Sequence, residues 1–376
     1  MIRTGYNLMK RSFFWLILNL FLFIWVSEVG AYPTVYSDYY CLIDGESSQI
    51  IISKNAGEPR PVASTTKMMT AILVEEYCKM DEIAEVSYNA ARTPEFTIGL
   101  RKGQKIEVGE LLKPLLICSS NDAAVVLAEH VAGEERLFAH LMTKKAFLLG
   151  AFHTHFVNAS GLPASDHFST AYDLALIGRY LLSKKVSSEL VATKVAKFKH
   201  PGYRQPITIT NTNGLLGAYE GVNGIKTGTA DAAGKCLVAS AQRDGRKLIA
   251  VVLKSGDRTG DCRRLLEYGY NNTRKVKIVD QGTPFKQLKV TNGNPAYVDI
   301  YPRNEISLWV GDGTPYIEKK VKLKYNLNAP VMMGEKIGSL TVYADGQPVT
   351  SVDLLCGQTV KKRNNLIEKL YRQWLN

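Results

Sequence analysis

The chain has 376 residues, 45% of them hydrophobic and 22% charged, which excludes a disordered segment and allows the cores of two or three domains. Its net charge of +12 calls for anionic partners, and an exported chain meets lipid and cell-wall polymer before nucleic acid, so no nucleic-acid role is expected. Six cysteines (Cys41, Cys78, Cys118, Cys236, Cys262, Cys356) stand far apart without a C-x-x-C pair, which argues against a thiolate metal site or a thioredoxin-like motif and for mostly buried free thiols.

Residues 1–31 read as an export signal. Arg3, Lys10 and Arg11 precede an apolar run over 13–26, and small residues end at Ala31, where cleavage is expected. The run is shorter than the roughly 20 apolar residues that span a bilayer. Without this leader the net charge is +10. Residues 32–274 then form a first domain. Two β-rich runs, 39–43 and 49–53, joined through Asp44-Gly45, predict a hairpin. Residues 64–78 change to helical composition. A second helix is expected over 121–131, ended by Gly133, and further helical pattern covers 137–149 and 171–183. Residues 224–228 read as a short extended segment leading to strands at 237–242 and 248–253, which are linked by Arg243-Asp244-Gly245-Arg246. A helix over 263–270 closes the domain.

From 275 to 357 short β-rich runs alternate with turn signals (Asn292-Gly293-Asn294, Asp345-Gly346), which predicts a small all-β domain. Gly311-x-Gly313 reads as another turn, since no third glycine or helix follows. The tail, 358–376, reads as an amphipathic helix. Leu366, Ile367, Leu370, Tyr371, Trp374 and Leu375 recur at helical spacing, and Lys361, Lys362, Arg363, Lys369 and Arg372 against Glu368 give a net +4, which suits an anionic membrane surface.

Three motifs concentrate the chemistry: Ser64-Thr65-Thr66-Lys67, Ser119-Ser120-Asn121 and Lys226-Thr227-Gly228. Alone, Ser64 reads as a helix cap with Lys67 solvated, and Ser119 with Asn121 reads as the cap of the second helix. Together they supply a nucleophilic hydroxyl with an amine three residues away on the same helix face, a relay hydroxyl beside a carboxamide, and a cation beside a hydroxyl. In this reading Ser64 is the nucleophile and Lys67 its base, kept neutral by burial, the helix dipole and a second cation such as Lys226. Ser119 moves the proton, Asn121 holds the substrate amide, and Lys226 and Thr227 grip a terminal carboxylate. Gly228 lets backbone approach substrate, and the N–H groups of Ser64 and Thr229 form the oxyanion hole. There is no G-x-S-x-G elbow, and His153 and His155, the one close histidine pair, lack further ligands at metal spacing. No cofactor or metal is expected.

These motifs resemble the D-alanyl-D-alanine carboxypeptidases, the low-molecular-mass penicillin-binding proteins. The likeness extends to Pro61-Val62-Ala63, Asp122-Ala123-Ala124, His155-Phe156-Val157-Asn158 with Gly161-Leu162, Ser169-Thr170-Ala171-Tyr172-Asp173, Asn213-Gly214-Leu215-Leu216 and Gly224-Ile225. It departs at Ala230 and Thr212, where family members commonly have Thr and Arg. The resemblance implies an α+β fold, the penicillin-recognising serine transferase/β-lactamase-like domain with an antiparallel sheet flanked by helices, followed by the small all-β domain. It implies removal of the terminal D-alanine from peptidoglycan stem peptides, inhibition by β-lactams, and a periplasmic protein attached peripherally to the cytoplasmic membrane. A β-lactamase is the rival enzyme, opposed by the lack of any Asp or Glu between Glu135 and Asp166. A non-catalytic wall-binding protein of the same fold is the other rival, opposed by the presence of Ser64, Lys67 and Lys226.

Overall fold

The computed structural model describes residues 32–311, 316–344, 346–363 and 374. The expected leader 1–31, Asp312 and Gly313 of the glycine turn, Asp345 of another turn and the tail from 364, Trp374 excepted, lie outside the described residues.

Strands β1 (Tyr39–Asp44) and β2 (Ile50–Lys54) form the expected hairpin, and the Asp44 carboxylate closes its turn by accepting from the Ser47 N–H at 2.8 Å. They join β3 (Val222–Ala230), β4 (Gly234–Arg243) and β5 (Arg246–Ser255) in an antiparallel sheet of order β2-β1-β5-β4-β3. The short segment expected at 224–228 is thus nine residues of strand, because β4 pairs with it along its length. Asp244 and Gly245 take φ of 48° and 77°, the left-handed pair that a tight hairpin between right-twisted strands requires.

Both faces of the sheet are buried. Cys41, Ile43, Val238, Ile249, Val251 and Leu253 enter one core, while Tyr40, Leu42, Leu237, Ala239, Leu248, Ala250 and Val252 enter the other. Period-two alternation therefore divides apolar residues between two cores, which is why 248–253 is a continuous hydrophobic run. Each buried aliphatic side chain contributes on the order of 1.5–3 kcal/mol. The first core holds helices α1 (Lys67–Tyr77), α2 (Val108–Leu116), α3 (Asn121–Ala132), α4 (Glu135–Leu148), α5 (Ala171–Leu181) and α6 (Lys185–Ala192). The second core is closed by α7 (Arg258–Asn271), which starts earlier than the expected 263 because the Asp257 side chain caps it, accepting from the Gly260 N–H at 3.0 Å.

The second domain starts at β6 (Thr273–Val279), two residues after α7. It continues through β7 (Lys286–Thr291), β8 (Tyr297–Pro302), β9 (Ile306–Gly311), β10 (Ile317–Leu323), β11 (Leu327–Asn328), β12 (Lys336–Ala344) and β13 (Gln347–Cys356). The main sheet has order β10-β12-β13-β8-β7-β11, and β6 pairs with β9. Residues 358–362, read from sequence as the start of the tail helix, belong to this domain instead. Val360 is fully buried and exchanges two backbone hydrogen bonds with Val331, at 2.8 and 3.0 Å, and Lys361–Lys362 pairs with Gly293–Asn294. An apolar Val at 360 serves this core, so any separate tail begins after Arg363.

The domains meet where Gln49, 2% exposed, donates to the Trp309 carbonyl at 2.7 Å and accepts its N–H at 2.8 Å. Arg246 stacks its guanidinium 3.3 Å above the Trp309 ring. Gln49→Ala removes both hydrogen bonds and strands two backbone groups, so it is expected to cost about 2 kcal/mol. Calorimetric melting tests this: a lower transition for the variant is expected, and a melting curve identical to that of the parent would show that the contact contributes nothing.

Candidate active site

Helix α1 is buried on every side over 67–74, with Met68, Met69, Ala71, Ile72, Leu73 and Val74 among its residues, so it runs through the middle of the core. Its first residue is Lys67, whose side chain is fully buried. A single 3-10 turn, Ala63–Thr66, precedes the helix and presents Ser64; Ala63 enters it at φ 49°. Ser64 makes no capping hydrogen bond, which removes the purely structural reading of that serine.

The Lys67 amine lies 2.8 Å from Ser64 Oγ, 2.6 Å from Asn121 Oδ1 and 2.6 Å from the Ser160 carbonyl. The last two are acceptors only. They take two N–H groups, so in the neutral amine the lone pair faces the Ser64 hydroxyl, which then donates to it. Among the described residues no carboxylate bonds to Lys67. Burial holds its pKa well below the ordinary lysine value, and Lys226 pushes in the same direction. Asp122 opposes this, but its carboxylate is committed to the Ile98, Leu100 and Ala123 N–H groups.

Ser120 caps α3 by accepting from the Ala123 N–H, so Ser119 and Asn121 are free of that task. Ser119, at φ 69°, turns its hydroxyl to Lys226, which donates at 2.9 Å. Lys226 is 1% exposed, and burial followed by the Arg258 charge lowers its pKa to about 7. Asn121 is fully engaged: besides Lys67 it reaches the Glu95 carbonyl at 3.2 Å and the Pro94 carbonyl at 3.4 Å through Nδ2. The site thus contains two lysine–serine pairs, Lys67 with Ser64 and Lys226 with Ser119.

Lys226, Thr227, Gly228 and Thr229 follow one another on β3, the edge strand, whose outer side has no strand neighbour. Thr227 Oγ1 lies 2.5 Å from Thr212 Oγ1. At Gly228 a Cβ would stand 2.8 Å from the Val62 carbonyl and 3.2 Å from the Ser64 nitrogen. Its missing side chain lets β3 approach the Ser64 turn. Thr229 is exposed and accepts from Arg258, which also donates to the Gly228 carbonyl, both at 2.9 Å.

Three contributors escaped the sequence reading. Arg258 lies 30 residues beyond Gly228 and comes from the first turn of α7. The Ser160 carbonyl belongs to the loop 149–170; Gly161, at φ 84°, lets that loop pass where a Cβ would stand 2.0 Å from the Ala63 carbonyl. His167 Nε2 bonds Thr66 Oγ1 at 2.7 Å, and Thr66 in turn donates to the Ala63 carbonyl. Its Nδ1 accepts the Val157 N–H, which places the ring proton on Nε2. The sequence signals for that loop were His155-Phe156-Val157-Asn158 with Gly161-Leu162, and Ser169-Thr170 at its end.

A serine at a helix start within hydrogen-bond distance of a buried lysine, beside an edge strand that carries a second buried lysine, defines a serine acyl-transfer enzyme of the penicillin-recognising fold. Residues 27–257 match the family described as D-alanyl-D-alanine carboxypeptidase, and residues 274–362 match the C-terminal domain of penicillin-binding protein 5. The chain belongs to the D-alanyl-D-alanine carboxypeptidase family. It is 30% identical over 331 residues to the D-alanyl-D-alanine carboxypeptidase DacF of Bacillus subtilis, with 85% of each chain covered. With DacA of Escherichia coli K12 it shares 29% over 370 residues, covering 91% of this chain and 89% of that one. Penicillin binding protein 5 from Haemophilus influenzae superposes with a TM-score of 0.72 at 26% identity, over 88% of this chain and 99% of that one. The enzyme is a serine-type D-Ala-D-Ala carboxypeptidase, and the carboxypeptidase reading prevails over the β-lactamase and the wall-binding one.

Burial, then His155 and Lys67, lowers the His167 pKa to about 4 from 6.5. The unfolded chain therefore binds the proton more readily, and this histidine's stabilisation is complete above pH 6.5 and lost as pH falls towards 4. The loss amounts to about 3 kcal/mol at about 1.4 kcal/mol per unit. Denaturant melts of the parent and His167→Gln from pH 7.5 to 4 are expected to show the steeper decline in the parent, and parallel profiles would disprove it.

Proposed function

We propose that the enzyme removes the terminal D-alanine of peptidoglycan stem peptides through an acyl-enzyme on Ser64. The observation that carries this reading is the Lys67 amine, buried without an acid and aimed at Ser64 Oγ. Ser64 attacks the penultimate carbonyl as Lys67 takes its proton, and the oxyanion rests on the N–H groups of Ser64 and Thr229. Ser119, held by Lys226, hands a proton to the departing D-alanine nitrogen. Asn121 exchanges its long bonds to Pro94 and Glu95 for the substrate carbonyl. Lys226 and Thr227, with Arg258 beside them, receive the terminal carboxylate, and the peptide lies along the open side of β3. Water then releases the acyl group. Penicillins acylate Ser64 by the same geometry, since their strained amide mimics the peptide end.

Mass spectrometry of a stem pentapeptide is expected to show loss of one alanine, and of no more. Ser64→Ala is expected to abolish both this and labelling by fluorescent penicillin, and labelling that survives the substitution would overturn the assignment. Acylation is expected to rise with pH as Lys67 loses its proton, at a pH well below the ordinary lysine range. Above about pH 7 in the free enzyme Lys226 loses its charge, so peptide acylation falls. An ester lacking the carboxylate is expected to lose this alkaline limb, and Lys226→Ala to harm it less than the peptide. Identical pH profiles and equal losses would deny Lys226 the carboxylate.

We also infer export through cleavage of residues 1–31 and attachment to the outer face of the cytoplasmic membrane by residues 364–376. Among the described residues no helix is long and apolar enough to cross a membrane. Supporting the attachment are the division of faces in the tail sequence and Trp374, 89% exposed. Burying Leu366, Ile367, Leu370, Trp374 and Leu375 in the headgroup boundary supplies on the order of several kcal/mol at about 25 cal/mol per Å². Truncation must follow Arg363, because removing Val360 would open the β-domain core. The truncated chain is expected in the soluble fraction with full activity, and the full chain in the membrane fraction with partial release by high salt. A truncated chain that still sediments with membranes would disprove the anchor.

A further inference from the structure

Away from the catalytic cleft, Cys78, Glu82 and His130 bring a thiol sulfur, a carboxylate oxygen and an imidazole nitrogen within 4.8 Å of one another. We propose that these three side chains bind a zinc-class divalent transition-metal ion, with solvent in the fourth position. Sulfur, nitrogen and oxygen together form a donor set that zinc takes and that hard cations such as Mg²⁺ or Ca²⁺ do not.

The three come from structurally fixed places. Cys78 is the C-terminal cap of α1, and its N–H is held by the Val74 carbonyl. Glu82 stands in the following turn, where its backbone N–H donates to the Lys79 carbonyl and its own carbonyl accepts from Val108. One carboxylate oxygen takes the Lys79 N–H at 2.8 Å, leaving the other, Oε2, 3.1 Å from His130 Nε2. Such a bond to the non-ligating oxygen orients a carboxylate as second-sphere bonds commonly do. His130 lies in the last turn of α3. Zinc bonds of about 2.0–2.1 Å to nitrogen and oxygen at tetrahedral angles separate ligand atoms by about 3.3 Å, so the observed 3.1 Å needs little adjustment. All three residues are half-buried, which leaves an entry path for the ion.

The surrounding field also favours a cation. Helices α1 and α3 both end here, and each directs the negative end of its dipole at the cluster. Binding replaces the Cys78 S–H bond by a sulfur–metal bond and releases one proton to solvent, with no change of oxidation state. Burial, and next to it Glu82, holds that thiol up at about 11, so without a metal it is an unreactive S–H group. A bound ion would staple the far ends of the two helices whose near ends supply Lys67 and Asn121. The cluster lies about 14 Å along α3 from Asn121, at 1.5 Å per residue, so it is separate from the acylation chemistry. The sequence hid it: Glu82 and His130 are 48 residues apart, and neither Cys78-x-x-x-Glu82 nor a lone histidine is a metal motif.

Titration of the purified full chain with cobalt(II) tests the site independently of peptidase activity. A thiolate-to-cobalt charge-transfer band that zinc abolishes, and a melting temperature raised by zinc, are expected. Cys78→Ser is expected to lose the band, and His130→Gln to weaken zinc binding by about tenfold or more. Cys118→Ser, which removes the other half-buried thiol, is expected to keep both the band and the melting shift. Retained penicillin labelling verifies that each variant is folded. Absence of the band in the parent, or its persistence in Cys78→Ser, would overturn the proposal.

Discussion

Two lysine side chains are buried close together with, among the described residues, no carboxylate bonded to either, and the rest of the catalytic domain is arranged around that constraint. Taking an ammonium group out of water costs several kcal/mol even after relaxation. Two such groups side by side cannot both keep their protons near neutral pH, so the environment divides the titration between them. Lys226, lowered to about 7, retains much of its charge, while Lys67 falls well below its ordinary value. In the acylation proposed above, the lowered pKa of Lys67 suits a proton acceptor, and Lys226 suits a carboxylate for as long as it keeps its charge.

The fold supplies this division through packing. A helix buried all round, α1, places its first side chain where water cannot reach, and a sheet with a core on each face puts the other lysine on an edge strand beside it. Neither amine can leave, because each is tied to acceptors whose own positions are fixed. Asn121 opens α3, capped by Ser120, and the Ser160 carbonyl is carried by a loop that Thr70, Glu135 and Thr143 hold at Ala159 and Phe156. Left-handed backbone at Ala63 and Ser119 is the local cost, on the order of 1 kcal/mol each, which the surrounding contacts offset.

What could be read from the sequence was local. The helix at 121–131, the hairpin at 39–53 and the Asp244-Gly245 turn all have their reasons within a few residues, and so do the three motifs. Lys67 and Ser64 share a helix face by spacing alone. The missing pieces are those whose cause is tertiary. Arg258 reaches Thr229 because α7 packs on the opposite face of the sheet from α1, and the Ser160 carbonyl offers no side-chain signal. The packing that requires a glycine at 228 was missed for the same reason: its neighbour is Val62, 166 positions away in sequence. Residues 358–362 went astray because Val360 fits an amphipathic helix by its spacing and a sheet by its partner, Val331.

The two Thr–Thr and Arg–Thr contacts on β3 suggest how such a site can vary without losing its acylation chemistry. Where an arginine is common in the family, Thr212 instead bonds Thr227, and Arg258 extends to Thr229 from the other side. In the acylation proposed above, Arg258 of α7 thus adds a cation at the far end of the motif, while Ser64, Lys67 and Ser119 keep their partners. In the proposed acylation the groups that make and break bonds sit at the starts of α1 and α3, and those that receive the peptide end lie along an edge strand, so substitution at Thr227 or Thr229 would alter the choice of substrate. In that reading, substitution at Thr227 or Thr229 leaves the acceptors of Lys67 in place, because Asn121 and the Ser160 carbonyl lie off the strand.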